Sequence, residues 1–338
     1  MRRPLSRILA VAHAPDHPST AVTRALALAR RHGARVTVAH AFRGFADDAD
    51  GVVASPTLAE AEQREYELRL AWLRTLAAPL RAAGVEVDVR VLVGPPFLRI
   101  VHEVLDGGHD AVIKDAAADG MRHPRPFGSL DLHLLRKCPV PLWLVHPARR
   151  RARRVVAAVD PSGAASAELD RRILAHAVDA AALDGGWVQV VHAWRLHGEG
   201  ALRLMRSPRT EMVIDRMVAR ERREHAERVD RLVEPFRGSG VALRVDVVKG
   251  DPALVVPAAV HEVRADLLVL GTVTQTRVPG LVIGTTAESI LAEVRCSVLA
   301  VKPEGFVSPV AADPARRQPW RHVSRGSTRM GADRPWRE

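Results

Sequence analysis

With 338 residues and 47% hydrophobic side chains, the chain has the length for two domains and the apolar content for two cores. Its two cysteines stand too far apart in sequence for a disulfide framework or a metal pair, and no apolar run approaches the ~20 residues that cross a bilayer. The formal charge of +11 is almost wholly arginine, lysine standing only at 114, 137, 249 and 302; this is the habit of a GC-rich coding sequence, and charge alone does not make a nucleic-acid binder.

In chain order, Met1 to Ala14 imitates a secretory signal, but its apolar part is short and the same pattern recurs at Arg153 to Asp160, where cleavage makes no sense. It is read instead as a first strand, Arg7 to His13, of a cytoplasmic protein. A helical pattern follows, then a second strand Val36 to Phe42, a long charged helix Leu58 to Ala83, and a third strand Val85 to Val93 closing on Gly94-Pro95. The fourth strand is Asp110 to Lys114 and the fifth Val140 to Val145. The series then repeats as Arg154 to Asp160, Val188 to Trp194, the helix Thr210 to Arg237, Val241 to Val248, Asp266 to Leu270 and Val298 to Val301. Even the His-Ala-aromatic end of the second strand recurs, as His40-Ala41-Phe42 and His192-Ala193-Trp194. With one Tyr and six Phe, both cores must be aliphatic, which suits buried parallel strands under Ala-rich helices.

Strand and helix alternate through two copies, so the fold class expected is α/β: two tandem doubly wound parallel-sheet domains, flavodoxin-like or Rossmann-like. The domains are set at 1–147 and 153–303, with 304–338, rich in Pro, Arg, Gly and Ser, as a disordered basic tail. The arginine-rich connector Pro147 to Arg154 is read as solvated and too short to be an independent linker, so the domains pack as a fixed pair. Ligands in such sheets bind at the carboxyl ends of the strands, which is where Asp160, Ala193, Gly271 and Thr285 fall.

The stretch Gly271 to Thr286 carries the most information. A strand feeds it and a helix leaves it: Gly271 lets the chain turn, Gly284 lets amides reach a ligand, and Thr285 and Thr286 stand where a helix begins, as an ordinary cap or as part of a phosphate corner. The loop resembles that of the universal stress protein family, in which Gly, two residues, Gly, nine residues and Gly-Ser/Thr follow the fourth strand. Here Gly271, Gly284 and Thr285 match, and Thr274 stands in the second position. With Ala287-Glu288-Ser289-Ile290-Leu291, Cys296 to Pro303, Gly107 to Asp110 and Leu134 to Pro139, the resemblance extends over residues 5 to 303 and to the tandem members of that family.

What the resemblance implies is an adenine nucleotide, ATP with or without Mg, held by Asp160 at the ribose and by Ala193, Leu270, Gly271, Thr272, Thr274, Gly284, Thr285 and Thr286. It implies a regulatory binding module in the stress response with unidentified protein partners, and fifth strands pairing across the two domains as an intramolecular pseudo-dimer, with room for a homodimer. The first domain, with His13 for Asp160 and Lys114 for Gly271, should not hold nucleotide in that manner, and its Ser129 caps a helix. Rival readings are a weak ATPase on the same site, a sensor of another, apolar ligand, and nucleic-acid binding by the connector and by Trp320 and Trp336 of the tail. His13 and His17 bracket a turn and make no zinc pair. Cys138 and Cys296 take matching places before the fifth strands, as packing. Ser129, Asp131 and His133 point around a helix axis and form no catalytic relay.

Overall fold

The computed structural model describes residues 5–15, 18–44, 56–116, 127–147, 151–204, 208–272 and 284–312. Thr274 and the rest of 273–283, His17, part of the connector and residues 313–338 lie outside them. The first half runs β1 (Arg7–Val11), α1 (Thr20–His32), β2 (Arg35–Phe42), α2 (Pro56–Ala82), β3 (Val87–Val93), α3 (Pro96–Gly107), β4 (Ala111–Asp115), α4 (Ser129–Lys137) and β5 (Leu142–Val145). The second runs β6 (Arg154–Ala158), α5 (Ala164–Leu183), β7 (Trp187–Trp194), the short α6 (Glu199–Arg203), α7 (Pro208–Val233), β8 (Ala242–Lys249), α8 (Pro252–Glu262), β9 (Leu267–Gly271), α9 (Thr285–Glu293) and β10 (Ser297–Val301).

The described strands form one sheet in the order β3-β2-β1-β4-β5-β10-β9-β6-β7-β8. Within each half the pairs are parallel. At the centre β5 and β10 run antiparallel, with Leu144 opposite Val298, Trp143 opposite Leu299 and Leu142 opposite Ala300, so the fifth strands do meet across the halves. Successive strand residues face opposite sides. Ile8 and Ala10 enter the core under α1, α2, α5 and α7, while Leu9 and Val11 enter the core under α3, α4, α8 and α9. Both faces are covered, which is why the central strands read as unbroken apolar runs. The outer strands differ: β3 (VDVRVLV) and β8 (ALRVDVVK) alternate, and their charges Asp88, Arg90, Arg244 and Asp246 discourage another strand from adding to the edge.

Polar contacts fix the halves to each other. Arg24 of α1, 4% exposed, meets Asp184 at the end of α5 at 2.6 Å and lies over Trp143, while the same carboxylate accepts the Ala152 N–H of the connector. Asp179 takes Arg31 and His32 of α1. Lys302, just past β10, is buried and donates to the Leu135 carbonyl of α4 at 2.6 Å, a cation at a helix C-terminal turn; burial lowers its pKa to about 8. Asp184→Ala strips the buried Arg24 of its carboxylate and the connector of its acceptor, at a cost of about 2 kcal/mol. Urea unfolding should show it; a midpoint equal to wild type would mean the pair does not fasten the halves.

Residues 304–312, assigned by sequence to the tail, continue the packed structure: Phe306 lies under the Lys302 ammonium and Ser308 and Val310 are buried beside α3. The cysteines are both buried, and neither forms a disulfide, but their places do not match. Cys138 caps α4 and corresponds to Val294, which caps α9, whereas Cys296 stands two residues further on, next to β10.

Candidate functional site

In the second half the described chain runs from the end of β9 to Thr272 and resumes at Gly284, the start of α9. Gly284, not a threonine, is the N-cap of α9 (φ −74°, ψ 143°), and Thr285 and Thr286 are its first two residues, both exposed. A Thr caps through non-helical backbone, and here the chain turns helical one residue too early for that. Gly284 donates its own N–H to the Thr272 carbonyl at 3.0 Å, so the amides with no acceptor among the described residues are those of Thr285, Thr286 and Ala287, ahead of the first intrahelical bond from Glu288 to Gly284. Among the described residues no side chain caps this helix, and the same holds for α4. The buried Thr272 hydroxyl beside it has no hydrogen-bond partner among the described residues. Free amides at the positive end of a helix, two hydroxyls and an unpartnered third suit the oxygens of a phosphate.

Gly271 serves a different purpose from the turn expected of it. It ends β9 in register with Val301, and a Cβ there would come 2.8 Å from Leu169 Cδ2 and 3.6 Å from Ile173 Cδ1. Its smallness lets α5 lie close on the strand. Leu270 is 2% exposed and faces the core with Ala287 and Ile290, so only its backbone can meet a ligand. Ala193 is half-buried, one residue before the end of β7 and opposite Val248.

Asp160 lies two residues past β6 with its side chain exposed, accepting the Ser162 hydroxyl, and His192 Nδ1 is 4.0 Å from its Oδ1. Its backbone N–H donates to Asp170 Oδ1 at 3.0 Å. Asp170 is 3% exposed, and its other oxygen has no partner among the described residues. Burial, with the neighbouring Asp160 charge adding, pushes the Asp170 carboxyl up to about 7.

The first half differs at the matching places. By strand register Asp115, not Lys114, is the counterpart of Gly271, and Lys114 corresponds to Leu270. Lys114 and Asp131 are both buried and meet at 2.7 Å just inside α4, where the second half has Leu270 and Ala287, and Lys114 also donates to the Asp115 carbonyl at 2.7 Å. Asp115 accepts from the Ser19 hydroxyl and the Ala21 N–H at the start of α1; burial raises its pKa, against those hydrogen bonds. Ser129 is the first residue of α4, the N-cap being Gly128, and His133 stacks on Phe97. An internal ammonium–carboxylate pair thus stands in the core where the second half has two apolar residues.

Sequence reasoning placed Asp160, Ala193, Gly271 and Thr285 at the carboxyl ends of the strands: Asp160 lies two residues past β6, Ala193 one residue before the end of β7, Gly271 at the end of β9, and Thr285 opens α9. It missed the buried Asp170 that accepts the Asp160 N–H, and the Lys114–Asp131 pairing. The available signal was a carboxylate at 131 and a lysine at 114 in otherwise apolar positions of a repeat. Among the described residues no His, Cys, Asp or Glu group is arranged to hold a metal ion, and no helix is long and apolar enough to cross a membrane.

Residues 4–146 and 151–302 each match the sequence pattern of the universal stress protein family. The chain is 29% identical over 315 residues to universal stress protein E of Escherichia coli K12, spanning 88% of this chain and 93% of that one. It is 28% identical over 216 residues to the universal stress protein E homolog of Haemophilus influenzae, 60% of this chain and 65% of that one. A solved Pseudomonas aeruginosa structure superposes with a TM-score of 0.64 at 22% identity, covering 88% and 94% of the two chains. A universal stress protein from Archaeoglobus fulgidus superposes at 0.57 and 17%, covering 88% and 96%. These superpositions speak for the fold.

Proposed function

The chain belongs to the universal stress protein family, and from that premise we propose that its second half alone binds an adenine nucleotide, ATP with or without Mg, and that nucleotide state tunes its contacts with other proteins. The observation that carries this reading is the asymmetry of the two helix starts. Both leave their first amides without a side-chain cap among the described residues, but the second presents Thr285, Thr286 and a Thr272 hydroxyl with no partner among the described residues, where the first has Ser129, Leu130 and Ala116. The amides of Thr285, Thr286 and Ala287 and the threonine hydroxyls would hold the phosphates, and the Asp160 carboxylate offers acceptors to a pair of sugar hydroxyls. The nucleotide would contribute its charge and its phosphoanhydride, and the protein's part is to orient it. Thr274 lies outside the described residues, and its role in the loop stays a proposal from sequence. Two buried cysteines that form no disulfide accord with action in the cytoplasm.

Titration calorimetry should give about one ATP per chain. Gly284→Val keeps a backbone that any residue adopts, since φ is −74°, but adds two methyls at the mouth of the amide cluster. Affinity should fall by about 100-fold, roughly 2.7 kcal/mol, with the circular dichroism unchanged. Two equal sites per chain, or full affinity in a folded Gly284→Val protein, would overturn the assignment.

A further inference from the structure

The peptide group between Val159 and Asp160 is held from both sides by side chains that titrate. Its carbonyl oxygen lies 3.0 Å from His192 Nδ1, and its N–H donates to Asp170 Oδ1 at 3.0 Å. A carbonyl only accepts, so His192 Nδ1 carries a proton. The bare nitrogen of the neutral ring is then His192 Nε2, which accepts from His225 Nδ1 at 2.8 Å. That leaves His225 Nε2 as the ring nitrogen open to a further proton, with Glu221 Oε2 3.7 Å away. The rings are 4.8 Å apart, and Trp194 stacks on His225 at 5.2 Å. The pair can accept one proton and share it; a second would set two N–H groups against each other.

The first half keeps the frame without the proton site. His40 Nδ1 is 3.0 Å from the Ala12 carbonyl, but His40 Nε2 faces the Arg69 guanidinium, which does not give up its proton. Around the second-half pair stand Asp160, with Asp170 behind it on α5, and Glu221, Glu224 and Arg228 on α7; Arg228 Nη1 is 3.4 Å from His225 Nδ1. Trp194 of β7 adds bulk and no charge.

Resting on the nucleotide reading above, we propose that His192, His225 and Asp170 act as positioning residues that make ligand binding at Asp160 proton-linked, so that an anionic ligand binds more tightly when this set carries its extra protons. Each proton taken up removes one unit of negative charge, or adds one of positive, next to the carboxylate that meets the ligand, while the clamp holds the 159–160 peptide in place. By reciprocity, binding draws protons in. The windows follow from the surroundings. Asp170 takes its proton as the pH falls through about 7. The ring pair takes one below the ordinary histidine value, because burial chiefly, and Arg228 with it, oppose a charge that Asp160 and Glu221 favour.

Calorimetry of ATP binding in buffers of different ionisation heat counts the protons exchanged. Wild type should take up protons at pH 6.5 and bind about tenfold more tightly at pH 5.5 than at pH 8. In the His225→Gln, Asp170→Asn double variant the profile should flatten to what ATP's own ionisation produces, and an unchanged profile would overturn the linkage. Nitrogen-15 NMR of the histidines in the ligand-free protein reads the clamp separately. His192 should be the Nδ1–H tautomer and the two rings should take up one proton together; independent titration, or an Nε2–H His192, would sink it. If ATP fails to bind at every pH, the nucleotide reading falls and the linkage with it, while the NMR titration still decides whether the clamp exists.

Discussion

Lys114→Leu is expected to destabilise the protein by about 3–5 kcal/mol, because it leaves the Asp131 carboxylate in the core with its ammonium gone. Lys114 is 1% exposed and Asp131 0%, so water cannot replace the lost partner. The placement of Asp131 in the first turn of α4 offsets only ~1 kcal/mol of this through the helix dipole. The double variant Lys114→Leu, Asp131→Ala removes both charges and installs the residues that the second half carries at these places, Leu270 and Ala287. Buried pairs are often no more stabilising than apolar residues of similar size. Most of the lost stability should therefore return, leaving a deficit of about 1 kcal/mol for the Asp115 carbonyl that loses its donor. Urea unfolding of the three proteins decides it. A single variant within 1 kcal/mol of wild type, or a double variant no better than the single, would show that the pair is not held as a charged unit. The double variant should also bind the same single ATP as wild type, which separates the pair's role in the fold from any role in the site.

The alternation of strand and helix was legible from the apolar runs, because each central strand is covered on both faces and shows it in composition. The meeting of the fifth strands followed from the duplication once the family pattern was attached to Leu142–Val145 and Val298–Val301. Register was not legible to within one residue: Asp110 and Asp266 both open a fourth strand, but the lysine at 114 drew the comparison to Gly271 when it belonged to Leu270. Gly271 shows the other limit. A glycine after a strand suggests a turn, and only the packing of Leu169 on it reveals that α5 needs the room. Buried polar pairs are hardest to see, since Lys114 and Asp131 look like surface charges until both prove enclosed, and Asp170 looks like one more acid on an amphipathic helix.

Asp170 is expected to make the protein less stable as the pH rises from about 4 to 7, and Asp170→Asn should abolish that slope. Its carboxyl titrates at about 7 in the folded chain and near the ordinary 3.8 when unfolded. Below pH 4 both states hold the proton, and the group contributes nothing to the difference. Between the two values the folded chain keeps a proton that the unfolded chain has released, so stability falls with pH, by up to about 4 kcal/mol once both are ionised. Asparagine copies the neutral acid in shape and still accepts the Asp160 N–H, and it has no proton to lose. At pH 8 Asp170→Asn should therefore be more stable by about 2–4 kcal/mol, the lower figure allowing for an amide N–H pair that inherits the unpartnered place of Oδ2. For a chain of this size that is a rise in Tm of roughly 3–6 °C. At pH 4.5 the two proteins should agree within about 1 kcal/mol. Parallel stability profiles for the two proteins across pH 4.5 to 8 would mean that Asp170 is ionised in the native protein without penalty. A carboxylate kept at such a cost beside Asp160 is what a site tuned for ligand, and not for stability, would contain.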